Sequence, residues 1–228
     1  MSDAQGQTKP MDLKAWAYEM IKQRIVNLQV QPREQMRIEN LAHELNISRT
    51  PIREALLQLE KEGLVRVNSR VGFFVRELTR RDLEELFEMR QLTEGYAAQK
   101  AAPTLTEEDL AQLDALHRSA ATAIENNDQA LFNKYEAALH DFLMRHSGNL
   151  QLLKMIEGLK DLTARERQYG LGSADNVRCS MREHGEIIDA LHRRDGEEAE
   201  KMMRRHLGNV RDRLLDMLDL PEDDESPR

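Results

Sequence analysis

The sequence has little of what a secreted or membrane-spanning protein needs. A single cysteine, Cys179, stands among 228 residues, which excludes an intrachain disulfide and points to a reducing compartment. No apolar run approaches the roughly 20 residues of a membrane helix, and Met1 to Pro10 is too polar for a secretory signal. The expectation is a cytoplasmic chain with a flexible tail over residues 1–12 and a disordered acidic tail over 220–228. An excess of positive charge is also missing. The formal net charge is −8, which taken whole argues against a nucleic-acid partner. Its distribution argues otherwise: residues 1–78 carry 12 Lys and Arg against 10 Asp and Glu, a balance of +2, while the remainder carries 21 against 31, a balance of −10. The length allows two domains, and the charge changes at a plausible boundary between them.

Residues 13–78 read as three helices followed by a hairpin. Trp16, Met20, Ile21, Ile25 and Leu28 recur at helical spacing, with Pro32 blocking continuation. Ile38, Leu41, Ala42 and Leu45 mark a short second helix, and Asn46 offers a tight turn. The third helix starts near Ser48-Arg49-Thr50-Pro51, where hydroxyls can cap and proline is tolerated, and its core face is Ile52, Ala55, Leu56 and Leu59. Gly63 stops it. Leu64 to Val67 and the alternation Val71, Phe73, Val75 then form the two strands of a wing.

This order of elements is a winged helix-turn-helix, whose recognition helix enters the major groove with its first residues leading. Arg49 and Arg53 lie four apart on the face opposite the core, where arginine can make a bidentate contact to guanine. Ser48 and Thr50 suit phosphate oxygens, helped by free amides at the helix start. Arg37 before the second helix, and Arg70 with Gly72 in the wing, would reach backbone or minor groove. The run Ile38-Glu39-Asn40-Leu41-Ala42 to Ile47-Ser48-Arg49-Thr50-Pro51-Ile52-Arg53-Glu54-Ala55-Leu56, then Leu59 to Val65, resembles the DNA-binding domain of GntR-family regulators. That resemblance implies DNA contacts by Arg49, Arg53 and Gly72 and phosphate contacts by Ser48 and Thr50.

Beyond Thr79 six helical patterns follow, at about 80–101, 106–126, 128–147, 149–169, 174–194 and 196–219, with short joints that imply antiparallel neighbours. Thr79-x-x-Asp82 and Thr104-x-x-Glu107 read as capping boxes. The expected fold is therefore mainly α: a winged helix with a small β-hairpin over 13–78 and a six-helix bundle over 79–219.

Polar residues interrupt the bundle's apolar stripes. Glu136 and His140 share a line with Phe132 and Leu143, His184 sits between Met181 and Ile188, and His206 between Met203 and Val210. Such a set suits a divalent transition metal, Zn, Ni, Mn or Fe, rather than Ca. His117, between Leu113 and Ala120, fits a stripe as well, so periodicity alone does not choose four ligands among seven histidines. The bundle resembles the FadR C-terminal domain class of GntR regulators. Its metal-binding members place an acidic residue four before a histidine and one further histidine on each of two later helices, which implies Glu136, His140, His184 and His206 as ligands. The usual acid there is aspartate, and Glu136 is longer by a methylene. Arg90 occupies a position similar to an arginine that contacts carboxylate effectors; read from spacing alone it pairs with Glu94 or Glu88.

The function these readings imply is a homodimeric regulator that binds double-stranded operator DNA under control of a small carboxylate metabolite. Two alternatives stand beside it: a metal-dependent enzyme acting on a small organic acid with an accessory winged helix, and a metal-free regulator.

Overall fold

The computed structural model describes residues 12–69 and 71–222. Arg70 and most of both expected tails lie outside the described residues. The chain divides into two compact units, Met1–Glu77 and Leu78–Arg228.

In the first unit, α1 (Leu13–Val26) begins at Asp12, whose carboxylate accepts from the Lys14 and Ala15 amides and so satisfies helix-start donors. It buries Ala17, Ile21 and Ile25. It ends two residues before the expected Leu28, because Leu28 turns left-handed with φ 54° well ahead of Pro32. A two-residue strand, β1 (Gln35–Met36), leads into α2 (Ile38–Leu45), which closes on Asn46 in the left-handed conformation. The α3 helix (Arg49–Lys61) buries Ile52, Ala55, Leu56 and Leu59 completely, and Gly63 at φ 76° turns the chain away from it. Ser48 occupies the N-cap of α3 without a side-chain bond to the helix amides, so capping by its hydroxyl, expected from sequence, is not realised.

Strands β2 (Val65–Asn68) and β3 (Gly72–Val75) pair antiparallel with Val67 opposite Phe73, and β1 adds to the other edge of β3, giving the order β1-β3-β2. The third strand was not expected, since two residues are too short to show alternation. The unit's core is apolar throughout, joining α1, α2, α3 and the inner face of the wing.

Among the described residues the second unit has seven helices where six were expected: α4 (Arg80–Ala101), α5 (Glu107–Glu125), α6 (Gln129–His146), α7 (Leu150–Glu157), α8 (Lys160–Gly170), α9 (Ala174–His192) and α10 (Gly196–Met217). The pattern at 149–169 breaks at Gly158-Leu159, where glycine's low helix propensity allows a tighter turn, Leu159 N–H to Ile156 O at 2.9 Å. Thr79 and Asp82 cap α4 reciprocally. The second capping box is Thr106 with Asp109, not Thr104 with Glu107, because the Thr104 hydroxyl donates back to the Ala101 carbonyl at the end of α4. The described part of the C-terminal tail is held: the Arg80 amide donates to the Pro221 carbonyl at 2.8 Å and Leu220 packs on the core. Helix α10 lies closely along α4, and a Cβ on Gly196 would stand 2.6 Å from the Gln99 carbonyl oxygen.

Candidate functional site

On the first unit, Arg37, Ser48, Arg49, Thr50 and Arg53 are all exposed around the start of α3. The Arg49 side chain is 72% exposed and makes only a loose ion pair with Glu39 at 3.4 Å. Arg37 donates to Gln35 Oε1 beside the wing, and Gly72 stands at φ 120° at the head of β3. A buried apolar face and an open arginine face thus belong to the same helix.

The second unit holds its chemistry inside. Helix α6 supplies Glu136 and His140, α9 supplies His184 and α10 supplies His206, and one ligand atom from each lies within 4.8 Å of the others. The three imidazoles are 3%, 2% and 1% exposed, and Glu136 is half-buried. Nε2 of His184 and Nε2 of His206 are 3.1 Å apart. His117 is half-buried on α5, outside this cluster.

Carboxylates hold two of the rings from behind. His140 Nδ1 bonds Glu94 Oε2 at 2.5 Å, and His206 Nδ1 donates to Glu183 Oε2 at 2.8 Å. Arg90 donates from Nε to Glu94 at 2.7 Å and from Nη1 to Glu166 at 2.8 Å, and is itself buried. Arg213 donates to both oxygens of Glu183 at 2.9 and 3.1 Å, and Asn209 adds a bond at 2.9 Å. Of the two partners that spacing allowed Arg90, Glu94 is the one it meets. Sequence reading missed Glu183, Arg213, Asn209 and Glu166; the sole signal was the adjacency of Glu183 to His184.

Ionisation follows from this packing. Burial drives the His184 imidazole well below its ordinary pKa, and neighbouring His206 and His140 push the same way. Burial also lowers His206, outweighing the pull of Glu183. Burial opposes ionisation of Glu94, but Arg90 and His140 overcome it and hold the carboxyl below the usual carboxylate range. At Glu183 burial is likewise outweighed, here by bonds from His206, Arg213 and Asn209, and the carboxyl sits at about 2. Glu166 is pushed up to about 7, chiefly by burial, with Glu136 and Glu94 reinforcing it against Arg90.

This donor set fits a metal ion. His140 Nε2 is buried without a hydrogen-bond partner, two more imidazole nitrogens stand close beside one another, and the depressed His184 and His206 present neutral rings with available lone pairs. Beside it opens a cavity of about 220 Å³ lined by Glu94, His140, Thr163, Arg145, Lys160 and Arg167 among others. Nε of Arg167 is buried there without a partner.

A winged helix with an open arginine face, followed by a helical unit with a buried histidine cluster and a cavity, is the make-up of a DNA-binding transcription regulator. The family model described as bacterial regulatory proteins, gntR family, matches residues 13–75, and that of the FCD domain matches residues 85–209. The chain belongs to the GntR family of bacterial regulators and carries an FCD domain. It is 27% identical over 212 residues to the uncharacterized HTH-type transcriptional regulator YdhC of Bacillus subtilis, spanning 92% of this chain and 95% of that one. It is 26% identical to the HTH-type transcriptional repressor RspR of Escherichia coli, over 85% of each chain. The structure of E. coli McbR/YncC shares the fold, with a TM-score of 0.74 at 24% identity over 91% of this chain and 99% of that one.

Proposed function

We propose that this regulator is a cytoplasmic homodimer that holds a divalent transition metal in its FCD domain and releases or engages operator DNA when a small carboxylate reaches that metal. The observation that carries the reading is the convergence of Glu136, His140, His184 and His206 beside a cavity that His140 itself lines. Imidazole with carboxylate favours Zn, Ni, Mn or Fe. When bound, the ion supplies a Lewis-acid contact for the ligand's carboxylate. The longer Glu136 reaches the cluster from its half-buried place on α6, four residues before His140.

The chain's own residues complete the pocket. Arg167 and Lys160 on α8 supply positive charge in the cavity wall, and Arg167 retains a donor with no protein partner. We assign the ligand-facing cationic role to these two. Arg90, committed to Glu94 and Glu166, acts on the effector through Glu94, which lines the cavity. In the DNA-binding domain, Arg49 and Arg53 read base edges, Ser48 and Thr50 hold phosphates, and Arg37, Arg70 and Gly72 contact the backbone or minor groove, one α3 entering each half of a pseudo-palindromic operator.

Thermodynamic linkage supplies the test, because an effector that alters operator affinity must have its own affinity altered by the same factor. A panel of small carboxylates is screened for release of an operator selected from random DNA, and the active one is titrated calorimetrically with and without that operator. Unequal affinities are expected; equal ones would sink the mechanism.

A further inference from the structure

We infer that Glu94 and Glu183 are positioning residues of the metal centre: each fixes the tautomer and the aim of one ligand histidine, and each is held for that task by its own arginine. This inference rests on the metal reading above.

A neutral imidazole offers one lone pair, and the bond made by one ring nitrogen decides that the other carries it. His140 and His206 are treated alike although they stand on different helices. In each, Nδ1 meets a buried carboxylate, Glu94 Oε2 at 2.5 Å or Glu183 Oε2 at 2.8 Å, which leaves Nε2 to face the cluster. The second oxygen of each carboxylate is tied down as well, that of Glu94 by Arg90 Nε at 2.7 Å and that of Glu183 by Arg213 Nη1 and Asn209 Nδ2, both at 2.9 Å. A carboxylate with a free oxygen could rotate away from the ring; one bonded at both oxygens cannot do so without losing a buried bond. Both acids are 4–5% exposed, and the arginine beside each neutralises it, so the arrangement orients the rings without adding net charge.

The two devices differ in one respect. Glu94 also lines the cavity, whereas Glu183 is enclosed by His206, Asn209 and Arg213. Glu183 therefore tunes the metal alone, while Glu94 faces both the metal's ligand and whatever enters the cavity.

The test uses the full chain stripped of metal and titrated with Co²⁺ in competition with a chelator, the visible Co²⁺ bands reporting the ligand field. Outer-shell carboxylates typically contribute 10–100-fold to metal affinity, so E183Q and E94Q should each bind about 10-fold more weakly and E183A more weakly still, with altered bands. R213K, which keeps the charge but loses the two-pronged hold, should fall between wild type and E183Q, and it decides the matter if E183Q does not fold by circular dichroism. Folded variants that bind Co²⁺ as tightly as wild type, with the same bands, overturn this inference alone, provided H140A has lost the ion. A wild-type chain that takes up no Co²⁺ overturns both this inference and the metal reading.

Discussion

The two units bury different chemistry. Among the described residues, the core of the first is made of apolar side chains alone, and all thirteen buried polar or charged residues, from Thr79 to His206, fall in the second. DNA is met at a surface, so the first unit can keep its cations outside and build a conventional apolar core beneath them. Under the proposed role the second unit has to enclose a small ligand, which places charge in its interior. Each buried charge there must have a partner or it would cost several kcal/mol. The ion pairs of Arg90, Glu94, Glu166, Glu183 and Arg213 are that requirement made visible.

This contrast can be broken most directly at Arg90. Its replacement by methionine leaves Glu94 and Glu166 buried without their cation, and should destabilise the chain by about 3–5 kcal/mol in chemical denaturation at pH 7. The same change at exposed Arg53 should stay within about 0.5 kcal/mol. In the first unit the comparable loss has to come from packing: Leu56→Ala, at a fully buried site, should cost about 2–5 kcal/mol, read from the shift in denaturation midpoint. A smaller effect follows for recognition. Arg53→Ala should weaken operator binding by about 1–3 kcal/mol while leaving the melting temperature unchanged, whereas Arg90→Met should disturb the melting temperature first. If Arg53→Ala binds the operator as tightly as wild type, α3 is not the reading element.

The smallest effect sharpens the comparison through pH. Glu166 is raised to about 7 in the folded chain, against an ordinary glutamate value of about 4.3 in the unfolded one. Between these values the folded state keeps a proton that the unfolded state has released, so stability falls as pH rises through that window. Glu183 works in the opposite sense: held at about 2, it contributes stability that is present above the unfolded carboxylate value and is lost as pH falls toward about 2. In the unfolding free energy of the metal-free chain between pH 5 and 8 this fall is superposed on a rise from His184 and His206, which are neutral when folded and take up protons when unfolded. The Glu166 contribution is therefore read by difference: E166Q should lack a falling component of roughly 1 kcal/mol per pH unit or less and so change the slope. An unchanged slope in E166Q would show that Glu166 does not keep its proton.

Local patterns carried much of this fold. The spacing of Ile52, Ala55, Leu56 and Leu59 marks the face that α3 buries, and the pair Thr79 and Asp82 marks the start of α4, because helix periodicity and capping act within a few residues. The i, i+4 spacing of Glu136 and His140 puts them on one face before any tertiary contact is known. The break at Gly158-Leu159 and the strand β1 were not legible: the first left the apolar stripe in phase, and the second is too short to have a period. Thr104 and Thr106 compete for the same cap, and a bond to the previous helix decides between them.

What the sequence alone determined is the order of elements, the apolar face of each helix and the open arginines at Arg49 and Arg53. What only the tertiary structure decided is which acid meets which imidazole. Glu94 and His140 are 46 residues apart, and Glu183 and His206 are 23 apart. No periodic signal spans such separations, while hydrogen bonding and charge interaction depend on distances of a few ångströms that folding alone sets.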